Sequence, residues 1–317
     1  MQPDITDKVL ELIRRTSTDI PGDVEASLRK AVLVEEPGSA ARGALETILA
    51  NIELSRKNGT PICQDTGTPI FRVRHPEGWS TRKMREQIRN AMVQATKASF
   101  MRPNAVDSLT EKNSGTNLGG EEFPTIHFEE SATLEELAAS GDASGEQTSL
   151  SETLVIDLML KGGGCENVGA QYSLPDESIG AGRDLAGVHR CVLDAIHSAQ
   201  GLGCAPGILG VAIGGDRGTG YLASKTALLS PIGERHRDPE IAMLEELITR
   251  EANMMGIGPM GFGGRTTLLD TKIVGMHRLP ASYFVTISYM CWAYRRRRMV
   301  ISGAGPAGAG PGDNAIS

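Results

Sequence analysis

Cys63, Cys204 and Cys291 share a setting: each sits at the end of a predicted element, in or beside a turn, with Gly, Pro or polar neighbours. Strand ends and turns present side chains to a common cleft, and thiolates that converge there can hold a metal or a cluster. Their separations match no local zinc or ferredoxin spacing. Spacing alone therefore leaves two readings open, a three-cysteine metal site or scattered structural thiols, with the second favoured. Cys191 differs, because it falls close to the apolar face of a predicted helix, where a lone thiol behaves as a small buried hydrophobe. Cys165 completes an odd and scattered set of five, so no disulfide framework is expected.

These residues need elements to position them. Apolar residues at helical spacing (Val9, Leu12 and Ile13, then Leu28 and Ala31, then Leu45, Ile48 and Ile52) predict helices over residues 5–56, interrupted at Pro21-Gly22-Asp23. Cys63 opens the polar stretch Cys63-Gln64-Asp65-Thr66-Gly67, and Ile70 to Arg74 alternates as a strand. Helices are predicted over 81–100, 184–200, 219–229 and 239–254, and strands over 125–128, 153–160, 208–213 and 285–290. Glycine is dense at Gly162, Gly163 and Gly164, and again from Gly256 to Gly264. Residues 129–152 are rich in Ser, Ala, Glu and Gly and read as a mobile insertion, the enlarged loop of a hairpin. Residues 302–317 read as a disordered Gly/Ala/Pro-rich tail. No repeat and no boundary stands out, so one α+β unit over 1–301 is expected, a mixed β-sheet flanked by helices.

Composition removes several function classes. The chain has 317 residues, 40% of them hydrophobic, enough to bury a core, and its 32 Lys+Arg against 39 Asp+Glu leave a net charge of −7. Neither that charge nor the 4% aromatic content suits a dedicated nucleic-acid binder. No phosphate-binding glycine loop follows a predicted strand in the required order. No apolar run reaches the roughly 18 residues of a membrane span, and no secretory leader is visible, so a cytoplasmic protein is expected. The run from Arg295 to Arg298 reads as a solvated charged edge.

The stretches Cys63-Gln64-Asp65-Thr66-Gly67, Lys161-Gly162-Gly163-Gly164, Gly203-Cys204-Ala205-Pro206, Gly263-Gly264-Arg265-Thr266-Thr267 and Cys291-Trp292-Ala293 resemble the class I fumarase and L(+)-tartrate dehydratase family. The likeness is to the N-terminal domain, or α subunit, of these iron–sulfur hydro-lyases, and runs in order from about residue 5 to about residue 300. It implies the fold of that domain. It also implies a [4Fe–4S] cluster held by Cys63, Cys204 and Cys291, with one iron not ligated by protein and acting as a Lewis acid on a C4 dicarboxylate. Asp65 is the implied proton donor and Gln64 a hydrogen-bond donor to a carboxylate. Gly162, Gly163 and Gly164 would offer backbone N–H groups, and Arg265 a cation. His277, two residues further from its following Ala-Ser pair than the family places it, is a candidate substrate contact. Alone, Asp65 reads as a turn residue, and Arg265 reads equally as a surface salt-bridge partner. The cluster would do no redox work.

The resemblance further implies a smaller second domain that carries the base and completes the cleft. It is expected here on a separate β subunit, with α subunits pairing as homodimers. The activity expected first is reversible hydration of fumarate to (S)-malate, with L(+)-tartrate dehydration as the alternative. A non-catalytic iron–sulfur carrier or sensor, or a metal-free scaffolding subunit, are the readings of other classes. Gln64 and Asp65 argue against the carrier, which has no use for them.

Overall fold

The apolar spacing at the start of the chain folds as helices. In a computed structural model, α1 (Thr6–Thr18) buries Val9, Leu12 and Ile13, and α2 (Gly22–Val34) buries Val24, Leu28 and Ala31. The third helix, α3, spans Ala40–Asn58. Then come β1 (Thr68–His75), α4 (Thr81–Lys97), β2 (Thr125–Glu130), β3 (Leu154–Lys161), the short α5 (Gly163–Asn167) and β4 (Ala170–Ser173). The remainder is α6 (Leu185–Ala199), β5 (Gly207–Ile213), α7 (Arg217–Ala227), α8 (Pro239–Met254), β6 (Leu268–Gly275), β7 (Phe284–Met290) and β8 (Arg295–Ile301). The structure describes residues 2–130 and 153–301. The insertion expected over 129–152 lies outside them except for Glu129 and Glu130, which end β2, and the tail expected over 302–317 lies outside them too.

The helix starts follow local chemistry. The Ser80 hydroxyl accepts the Lys83 N–H and opens α4. Asp184 caps α6 through the Gly187 N–H, and Asp216 forms a capping box with Thr219 at α7. Pro239, whose missing N–H is not needed in a first turn, begins α8 behind Asp238.

Strands and helices form an α+β protein with two four-stranded mixed sheets, in the orders β2-β1-β3-β8 and β4-β7-β5-β6. The chain packs as two compact units, and the single unit expected over 1–301 spans both. The first lies within Met1–Pro21, Ser55–Leu160 and Arg295–Ser317, the second within Gly22–Leu54 and Lys161–Tyr294. Several chain crossings separate them, which is why no linker marks the division in the sequence.

In the first unit, α1 and α4 bury Val9, Leu12, Met84 and Ile88 with Phe71, Val73, Ile156, Leu158 and Met299 of the sheet. The expected hairpin does not form. β1 pairs in parallel with β2, and β1 lies between β2 and β3. Local sequence carries no signal for such an exchange of partners, because both strands satisfy the same alternation whichever neighbour they take. The arginine run is not a solvated segment after the last strand: it is itself β8, the edge strand antiparallel to β3, with Arg295 wholly buried and Arg296 to Arg298 partly so. The Asp157 carboxylate, buried in β3, accepts from Arg74 at 2.9 Å and from Arg298 at 2.6 and 3.2 Å. Arg297 meets Asp19 at 2.9 Å. Aliphatic stems and paired heads let these arginines serve as strand residues.

In the second unit, β5 pairs in parallel with β6 and antiparallel with β7, which pairs antiparallel with β4. Strand β6, absent from the sequence reading, hides its pattern behind Asp270 and Lys272, which are buried as an ion pair at 2.9 Å. No helix among the described residues is long and apolar enough to cross a membrane.

Candidate cysteine and glycine site

The second sheet gathers the sequence candidates at one end. Cys204 lies just before β5 and Arg265 just before its parallel neighbour β6, while Cys291 follows β7, which runs the other way. Parallel starts and an antiparallel finish fall at the same edge. The Trp292 N–H donates to the Cys204 carbonyl at 3.2 Å, so the two cysteine turns are tied by backbone. Cys204 is half-buried, with φ at +57°. A branched or bulky side chain avoids the left-handed region, and a non-glycine residue held there stores strain that the surrounding turn must over-determine.

The glycine-dense loop closes on the same turn. The Met260 N–H donates to the Ala205 carbonyl at 2.9 Å, and the Gly207 N–H to the Thr267 carbonyl at 2.9 Å. The buried Glu35 carboxylate receives the Arg265 N–H at 3.0 Å on each oxygen. Gly264, at φ +118°, must be glycine, since a Cβ would stand 2.6 Å from that carboxylate. The Arg265 side chain is exposed.

The triple glycine reaches this end through Lys161. Its buried ammonium donates to the Tyr289 carbonyl at 2.9 Å and meets Glu166 at 2.7 Å. The glycine-dense stretch is the start of α5, with Gly162 as its cap and Cys165 buried inside. The Cys165 thiol donates to the Gly162 carbonyl at 3.1 Å and lies 3.7 Å from the Lys161 ammonium.

Tyr289 was not a sequence candidate. It pairs with Leu209 in β7, two residues before Cys291, and is 2% exposed. Its ring lies over the Cys204 turn: a Cβ at Gly203 would fall 2.5 Å from it, and one at Gly207 2.4 Å from its hydroxyl. That hydroxyl has no hydrogen-bond partner among the described residues. Burial, followed by charge on Cys291, Cys165 and Cys204, holds the phenol above its ordinary pKa. Only the strand period could have flagged it, and that period does not say what the hydroxyl meets.

His277 goes elsewhere. It is exposed, and its carbonyl receives the Gly215 N–H at 3.1 Å, beyond the far end of β5. The structure does not bring it to Cys204 and Cys291. Cys191 is wholly buried in α6, where burial pushes its thiol up to about 12.

The first unit holds the remaining motif. Cys63 is half-buried in the loop before β1, anchored by the Ile62 N–H on the Ser17 carbonyl at 3.0 Å. Gln64 is exposed. The Asp65 carboxylate accepts the Gly67 N–H at 2.9 Å, the turn contact expected of an Asp at this position. Its carbonyl accepts from Arg295 at 2.9 Å, while the Nε and Nη2 of that buried guanidinium meet no acceptor among the described residues. Thr66, wholly buried, accepts the Arg102 N–H at 3.2 Å and the Asn104 amide at 2.9 Å. This places the backbone of a cation, Arg102, beside the motif, which sequence reasoning missed. No disulfide joins the five cysteines. Among the described residues, no three His, Cys, Asp or Glu side chains gather closely enough for a single metal ion.

The chain matches the family described as fumarate hydratase (Fumerase) over residues 6–300. A Geobacillus stearothermophilus protein named as a class I fumarate hydratase is 45% identical over 92% of this chain and 53% of its own length. A Methanocaldococcus jannaschii protein named as an L(+)-tartrate dehydratase subunit alpha is 35% identical, over 92% of this chain and 95% of its own length. The L(+)-tartrate dehydratase subunit alpha of Escherichia coli K12 is 28% identical over 94% and 90%. The chain thus spans about half the Geobacillus relative and nearly all of the two alpha subunits.

Proposed function

The chain belongs to the fumarate hydratase (Fumerase) family, and from that premise we propose that it is the cluster-bearing part of a [4Fe–4S] hydro-lyase that reversibly hydrates fumarate to (S)-malate. The observation that supports this reading most is the end of the second sheet, where Cys204 and Cys291 stand on turns joined by a backbone hydrogen bond. Cys63 is the proposed third thiolate, on the strength of its Cys-Gln-Asp-Thr-Gly motif. Three thiols are a soft donor set that suits an iron–sulfur cluster. Sulfurs that hold a cube stand further apart than the ligands of one ion, so the lack of a tight single-ion group does not count against the fit. The Tyr289 hydroxyl, buried beside the Cys204 turn and without a partner among the described residues, is the kind of polar atom such a group satisfies.

Bound with three thiolates, the cluster supplies a Lewis-acid iron that eases departure of a hydroxyl from carbon. The chain's own residues do the rest. Gln64 and the backbone N–H groups of Gly162, Gly163 and Gly164 hold the substrate carboxylates, with Arg265 as a cation. Asp65 gives its proton to the departing hydroxyl, and the Gly67 N–H and Arg295 hold its loop still. His277 is left out, because its backbone lies at the other end of the second sheet. The base that takes the proton from the neighbouring carbon is assigned to a separate β subunit.

Dehydration of L(+)-tartrate is the second reading. It is favoured by the two alpha subunits, which this chain covers almost end to end. The test is reconstitution without air, with the proposed β partner, followed at the fumarate absorbance and by oxaloacetate formation from tartrate. Turnover of fumarate supports the first reading, turnover of tartrate alone the second, and turnover of neither removes both. Cys63→Ser, Cys204→Ser and Cys291→Ser should each abolish bound iron and sulfide, whereas Cys191→Ser should retain both. Asp65→Asn should keep the cluster and lose about 10²- to 10⁴-fold in rate.

A further inference from the structure

The Tyr289 hydroxyl poses a chemical question of its own. A buried hydroxyl without a partner is destabilising, and folded proteins rarely keep one unless something absent from the bare chain satisfies it. Two glycines accommodate it: side chains at Gly203 or Gly207 would collide with the ring or the hydroxyl. Both flank the Cys204 turn, and Tyr289 stands two residues before Cys291 near the end of β7. The Lys161 ammonium fixes the same residue from behind, through its backbone carbonyl at 2.9 Å. A phenol held this way is an O–H donor with no oxygen or nitrogen among the described residues to receive it.

We infer that Tyr289 is a positioning residue for the iron–sulfur group, its O–H donating to a sulfur at the Cys204–Cys291 end of the second sheet. This rests on the proposed function above and adds a residue to it. A hydrogen bond to a cluster sulfur draws electron density from it, raises the reduction potential and stabilises the loaded form. Tyr289→Phe keeps the ring between its glycines and removes only the donor.

The test compares the full chain and Tyr289→Phe, purified without air and loaded with ferrous iron and sulfide. Without iron, the variant should unfold at the same or a higher temperature, because it loses an unsatisfied hydroxyl. Loading should raise its unfolding temperature less than it raises that of the unaltered chain. Its midpoint potential should be more negative, and its cluster should bleach several-fold faster in air. Equal potentials and equal gains on loading overturn the inference and leave the cluster reading standing. A variant that is already less stable without iron also overturns it, since the hydroxyl would then have a structural partner. Failure of the unaltered chain to take up iron and sulfide overturns the cluster reading, and this inference with it.

Discussion

Asp157, in β3 of the first unit, and Tyr289, near the end of β7 in the second, are both almost wholly buried, and each carries a polar group into the interior. The Asp157 carboxylate sits between Arg74 and Arg298, with an acceptor lone pair for each donor that reaches it. The Tyr289 hydroxyl, beside the Cys204 turn, has no hydrogen-bond partner among the described residues. Inside the first unit, Arg297 and Arg298 of β8 meet carboxylates, whereas Arg295 donates to the Asp65 backbone and has two nitrogens without an acceptor among the described residues. The contrast is one of degree: the Nε of Arg297 also lacks an acceptor among the described residues, but its guanidinium is held by a carboxylate, whereas the Tyr289 hydroxyl, a single donor, is left wholly unmet.

That contrast can be broken experimentally. The largest effect is expected from Asp157→Ala, which takes the carboxylate from between two guanidinium groups. It should cost about 3–5 kcal/mol in denaturant unfolding, with or without iron. A loss under about 1 kcal/mol would mean that the buried charges find other company. Gly207→Ala comes next. The new methyl would lie 2.3 Å from the Tyr289 ring, and the strain should amount to about 1–3 kcal/mol. Here the expected outcome depends on iron, because displacement of the ring also misplaces the hydroxyl. A loss identical in the two forms would reduce Tyr289 to packing.

The smallest effect belongs to the surface. The Arg14 guanidinium, helped by Arg15 and opposed by partial burial, holds the Glu11 carboxyl down to about 2. A carboxyl depressed on folding stabilises the protein above its unfolded value of about 4.5, and loses that contribution as pH falls toward 2. Glu11→Gln should therefore cost only a few tenths of a kcal/mol at neutral pH. Its unfolding curve should converge with that of the unaltered chain in acid. A larger difference at low pH than at pH 7 would reverse the sign.

Much of this protein was legible in its residues. The helices with clean apolar spacing, from Val9 to Ile13 and from Val188 to Ile196, formed where the period put them, since one buried face is enough to specify a helix. The glycine-flanked cysteine turns were visible because few other residues tolerate those bends. Strands β6 and β8 escaped notice: each hides charged side chains, Asp270 with Arg235 and Arg298 with Asp157, whose burial depends on partners distant in the chain. Partner choice was equally hidden, and β1 rather than β3 lies beside β2.

Residue types alone determined that thiols, glycines and a Gln-Asp pair stand at turns, because their chemistry is local. Tertiary structure alone decided that Arg265 and Cys291 share an edge with Cys204, that His277 does not, and that a tyrosine hydroxyl is enclosed there without a partner among the described residues. The reason is that strand direction and pairing, which sort loops to one end of a sheet or the other, arise from contacts between residues that the chain order keeps far apart.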